Sequence, residues 1–180
     1  MALNKSKITR ALWEIRQRAG IRKSAKLLTD AFGAVATSDL VTNDGTAFPA
    51  AGKLGEVVFA NRSRASTLAL TNNTPANVTS VSLTPGVWII QGFVGFKFAA
   101  TTSITFLAGG ISNVSGTINN DLGRFSFATP AMVPVNDISW AVNGEVYNIT
   151  TTTTFFLITS ALFTVSTCAA WGDITAIRIA

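Results

Sequence analysis

The stretch Val87-Trp88-Ile89-Ile90-Gln91-Gly92-Phe93-Val94-Gly95-Phe96-Lys97 decides the fold. With side chains alternating at period two, Val87, Ile89, Gln91, Phe93, Gly95 and Lys97 fall on one face. Trp88, Ile90, Gly92, Val94 and Phe96 fall on the other. β-Branched and aromatic residues suit such a pleated strand. Both faces carry large apolar groups, whereas a sheet with one face in water is polar on that side. The strand is therefore expected to lie within an assembly. Thr153–Phe163 has the same two-sided character.

Working outward, Gly55–Ala60, Ser66–Thr71, Val78–Leu83 and Ser103–Ile111 read as further strands. Arg124–Ala128, Ile138–Ala141, Glu145–Ile149 and Gly172–Ile179 continue the series. Turn signals separate them: Asn72-Asn73-Thr74-Pro75, Thr84-Pro85-Gly86, Gly109-Gly110, Asn119-Asn120-Asp121 and Asn143-Gly144. Short strands at regular spacing between such turns predict a mainly β, antiparallel jelly-roll sandwich over residues 55–180. Residues 34–54, with few large side chains, read as an extended linker. Over residues 1–33, Ile8, Leu12 and Ile15, and then Ile21, Ala25, Leu28 and Phe32, recur at helical spacing with Gly20 between them. This predicts a helical arm too short to be stable unless it docks.

Charge separates arm from body. Residues 1–26 hold Lys5, Lys7, Arg10, Arg16, Arg18, Arg22, Lys23 and Lys26 against Glu14 alone, a net +7. The other 154 residues hold six basic and eight acidic side chains, a net −2. Such asymmetry marks an arm that contacts an acidic partner. Only Trp13 supplies an aromatic among those basic residues, so a protein surface fits better than nucleic acid. Trp13 itself is expected as an interface anchor. The segment lacks the apolar core and cleavage site of a signal peptide, which predicts a chain made in the cytoplasm.

Composition removes much of catalysis. The chain has no histidine, the commonest general base and zinc ligand. Its single cysteine, Cys168, has no imidazole to activate it and reads as a small buried apolar residue. Nine carboxylates are spread singly. No catalytic residue, metal site or cofactor is expected. Hydrophobic residues make up 48% of the chain and charged ones 13%, with mean hydropathy +0.39. No window of eighteen apolar residues could span a membrane. The surplus is expected to be buried between copies of the chain in a closed oligomer. Phe93, Phe155, Leu157, Ile174, Ile177 and Ile179 are the expected seam.

The run Ser82-Leu83-Thr84-Pro85-Gly86-Val87-Trp88-Ile89-Ile90-Gln91-Gly92, then Val94-Gly95-Phe96-Lys97, resembles a strand of small jelly-roll proteins in tailed bacteriophage virions. Ala99–Thr105, Gly109–Ser112 and the closing stretch Ala161–Ile179 continue the resemblance. Trp171 stands where the group has Tyr, and Ile177 and Ile179 stand where basic or Val residues are usual. The likeness covers about residues 55–180 and does not reach 1–54. Its layout is similar to the trimeric C1q and tumour-necrosis-factor type. It implies a structural virion protein and a homotrimer. A capsid decoration, cement or head-fibre protein is expected. Its arm would be anchored to capsid, portal or neck protein through residues 1–50. A tail- or neck-attached fibre or spike that binds a host surface receptor is the alternative.

Overall fold

The computed structural model describes residues 49–118, 125–133 and 136–180. The predicted helical arm (1–33), with Lys5 through Lys26 and Trp13, and the linker up to residue 48 lie outside the described residues.

Among the described residues nine strands follow one another: β1 Val57–Arg62, β2 Leu68–Ala69, β3 Ala76–Leu83, β4 Gly86–Phe98, β5 Ser103–Ser112, β6 Phe125–Met132, β7 Ile138–Ile149, β8 Thr153–Thr164 and β9 Cys168–Arg178. They form two antiparallel sheets. One runs β1-β9-β4-β7, with β2 pairing β9, and the other β3-β8-β5-β6. Among the described residues there is no helix, and so none long and apolar enough to cross a membrane.

The alternation read in the sequence becomes the layering. In β9, Cys168, Ala170, Gly172, Ile174, Ala176 and Arg178 are buried, while the residues between them are partly exposed. Opposite them on β4, Trp88, Ile90, Val94 and Phe96 are fully buried. Leu83, Ile104, Leu107, Ile111 and Leu157 meet them from the second sheet, giving one shared core. Burial of such a side chain is worth about 1.5–3 kcal/mol, which makes this layer the main favourable term of the fold.

Two turn signals fall elsewhere than expected. Asn143-Gly144 does not separate strands: β7 is continuous, and the extra residues are absorbed as a bulge opposite Ile90–Gly92 of β4. Gly109-Gly110 lies inside β5. A Cβ at Gly109 would sit 2.8 Å from Val94 Cγ1, so the glycine permits the two sheets to approach. By contrast, Asn72–Pro75 does turn, with Asn73 at φ 55° and the Thr74 amide donating to Thr71 O at 3.2 Å.

A buried latch closes one end of the body. Arg178 donates to Glu56 Oε2 at 2.9 Å, to Pro85 O at 2.7 Å and to Thr84 Oγ1 at 2.5 Å. Its guanidinium lies 4.3 Å from the Trp88 ring centre. Glu56 Oε2 also accepts from the Gly52 amide at 2.7 Å. Gly86, at φ +150°, leaves room for this cation, with which a Cβ would collide. The latch ties the entry to β1, the β3–β4 turn and the last strand together. Residues 49–56 therefore meet the body at the end that also holds Ala180, whose carbonyl accepts from the Val87 amide at 2.7 Å.

Candidate functional site

The strongest candidate is the outer face of the β1-β9-β4-β7 sheet. Register fixes its membership. Val57, Phe59 and Asn61 of β1 lie opposite Ile177, Thr175 and Asp173 of β9. Those three lie in turn opposite Ile89, Gln91 and Phe93 of β4, while Gly95 and Lys97 lie opposite Trp171 and Ala169. Val146 and Ala141 of β7 lie beside Ile89 and Phe93. The face is thus largely apolar where a solvated sheet would be polar. Phe59 is 57% exposed and Val146 63% exposed, and Ile89, Phe93, Trp171 and Ile177 are half-buried.

At its centre the Trp171 indole lies over Gly95, so closely that a Cβ there would collide with the ring. Phe93 packs against it with ring centres 5.1 Å apart. Among the described residues no acceptor reaches the buried indole N–H, an unmet donor that costs about 1–3 kcal/mol. Beside this pair sits Asp173. Burial pushes its carboxyl above the ordinary value. No hydrogen bond or ion pair reaches it from the described residues.

The structure divides the six expected seam residues. Phe93 and Ile177 do lie on this face, and Ile179 is 39% exposed just beyond β9. Phe155, Leu157 and Ile174 are corrected: they fill the chain's own core, at 3%, 0% and 0% exposure, and present nothing to a partner. The reason is parity. Ile174 is an even-numbered residue of β9, whose even positions face inward, and Phe155 and Leu157 lie on the inward face of β8. Nor does β8 leave its other face bare at the centre, since Ile158 and Ser160 are buried too. Sequence reading missed Phe59, Ile89, Val146 and Asp173. Asp173 carried a usable signal: it is the only acid between Glu145 and the end of the chain.

A second feature lies at another edge. A cavity of about 500 Å³ is lined by Asn61, Arg62, Ser63, Ser66, Thr79 and Ser80, among others. Arg62 is held there by bonds from Nε to Val78 O at 2.8 Å and from Nη1 to Ser66 O at 3.4 Å. Hydroxyls and the Arg62 cation could hold a polar ligand, but among the described residues no aromatic ring lines the cavity to stack on a sugar.

Among the described residues no three of His, Cys, Asp and Glu gather as a metal group would require. Cys168 is buried, and burial pushes its thiol up to about 12, away from the reactive thiolate. Tyr147 is likewise pushed up to about 12, by burial first and then by the charge and hydrogen bond of Glu145. No protein-family model matches the chain, and no characterised protein matches it in sequence.

Proposed function

We propose that the chain is a structural protein of a bacteriophage virion, a capsid decoration, cement or head-fibre protein without catalytic activity. Its jelly-roll body closes into a homotrimer, and its basic N-terminal arm anchors it to another virion protein. The observation that carries this reading is the outer face of the β1-β9-β4-β7 sheet, where Phe59, Ile89, Phe93, Trp171, Ile177 and Val146 place apolar side chains on a surface that a solvated sheet would keep polar. The interleaved strand orders 1-9-4-7 and 3-8-5-6 support the jelly roll. Three-fold closure and the virion itself rest on the sequence resemblance of residues 55–180.

Removing residues 1–33 tests it. The truncated protein is expected to fold and to form trimers, yet to be missing from purified particles. Incorporation at normal copy number would remove the anchoring role. A second reading, a fibre or spike that binds a host receptor, draws on the Arg62 cavity. Binding of host surface glycans that is lost in Arg62→Ala would favour it over the first.

A further inference from the structure

The outer face of the β1-β9-β4-β7 sheet carries two charges among its described strand residues, one of each sign. Asp173 lies on β9 and Lys97 on β4. Neither has a hydrogen-bond or ion-pair partner among the described residues. Nor can they reach each other within one chain. Asp173 lies opposite Phe93, so Lys97 is four residues further along, a distance of about 13 Å. That exceeds the combined reach of the two side chains, and the Phe93–Trp171 ring pair rises between them.

We propose that Asp173 of one copy pairs with Lys97 of a second copy of this chain across this sheet face. The inference rests on the assembly reading above and adds the contact that fixes its register. Three observations favour a second copy over a foreign partner. The face is self-complementary in charge, with one acid and one base, so it suits neither a strongly acidic nor a strongly basic surface. Its apolar surroundings, Phe59, Ile89, Phe93, Trp171, Ile177 and Val146, can be covered by apolar residues of the neighbouring copies around the three-fold axis. Its size also suffices. With strands of about 36 Å and four strands across about 19 Å, the face offers on the order of 600 Å², near the roughly 800 Å² per partner of a stable interface. An apolar face alone could slide or rotate against its copy. An ion pair inside it penalises every register that leaves Asp173 desolvated and alone.

Charge reversal in the full-length protein tests the pairing, read as molar mass by light scattering over a concentration series. Circular dichroism melting of each variant verifies the fold. Asp173→Lys and Lys97→Asp are each expected to raise the dissociation concentration about thirtyfold or more. The double variant restores assembly, because the pair is rebuilt with its signs exchanged. Asp173→Asn, the mildest change, weakens assembly without repulsion. If the single variants assemble as the wild type does, or the double variant fails to recover, the pairing is wrong while assembly stands. A wild-type protein that stays monomeric at micromolar concentration overturns the assembly reading and the pairing with it.

Discussion

Two charged residues of β9, Arg178 and Asp173, stand five positions apart and so on opposite faces of the same strand. Arg178 faces inward and is fully engaged by Glu56, Pro85, Thr84 and the Trp88 ring. Asp173 faces outward between Phe93 of β4 and Asn61 of β1, with no hydrogen-bond or ion-pair partner among the described residues. A buried charge is tolerated only when paired and hydrogen-bonded. The inner face therefore meets the requirement from within the chain. The outer face is partly desolvated but unfinished, and its completion has to come from outside. The contrast separates what this sheet does for the fold from what it offers to a partner.

The largest expected effect breaks the inner side. Arg178→Met strands Glu56 as a buried carboxylate that, among the described residues, still accepts from the Gly52 amide. Loss of about 3–5 kcal/mol is expected, read as the shift of the urea unfolding midpoint. Changing Glu56→Gln in the same chain should return part of that loss, because no unpaired charge is left. A full-size loss in the double variant would instead mean that packing of the guanidinium on Trp88, and not charge, holds the latch.

Much of the inner side could be read in the sequence. Period-two alternation in Val87–Lys97, Thr153–Phe163 and the last strand located β4, β8 and β9 to within a few residues, because the pattern is local. What failed was non-local. Asn143-Gly144 reads as a turn by itself, but becomes a bulge because β4 continues alongside it. Gly109-Gly110 reads as a break, but is a close approach to Val94. The latch joins residues 122 positions apart, which no spacing rule connects. The outward face was the hardest to read. When both faces of a strand are apolar, periodicity says that two faces exist and not which one the second sheet covers. That ambiguity put Phe155, Leu157 and Ile174 in the seam and left out Phe59 and Val146.

An intermediate effect sharpens the comparison through pH. Tyr147, packed against Phe155 with ring centres 4.7 Å apart, has its phenol raised from 10.0 to about 12. The Cys168 thiol, also on the inner face, is raised from 9.0 to about 12. For both groups the folded state holds the proton more tightly than the unfolded chain does. Each thus contributes stability that is complete below its ordinary value and lost as pH rises through about 12. The melting temperature is expected to fall steadily from pH 9 upward. Cys168→Ala should remove part of that slope, and Tyr147→Phe another part. Asp173, raised by burial on the outer face, has the same sign in the acid range: its contribution is present below the ordinary carboxylate value and lost as pH rises through the raised one. Neutralising it as Asp173→Asn should therefore stabilise the dissociated chain slightly at neutral pH while weakening assembly. The two observables moving in opposite directions would set Asp173 apart from every inner residue.

The smallest effect on stability is expected where the effect on assembly should be clear. Phe59 is 57% exposed and lies on the outer face opposite Thr175. Phe59→Ser removes an aromatic ring that the folded chain hardly buries, so the unfolding midpoint should shift by no more than about 0.5 kcal/mol. If the ring is buried between copies, the same change removes contact area from the seam and raises the dissociation concentration. Val146→Ser, 63% exposed on β7, repeats the test at the other edge of the sheet. A seam across the whole face predicts that both weaken assembly. Weakening by Phe59→Ser alone would confine the contact to the β1–β9 side, where Asp173 lies, and would exclude β7 from it. A loss of fold stability in either variant, measured on the dissociated protein, would mean that the outer face also serves the fold and would erase the division drawn between Arg178 and Asp173.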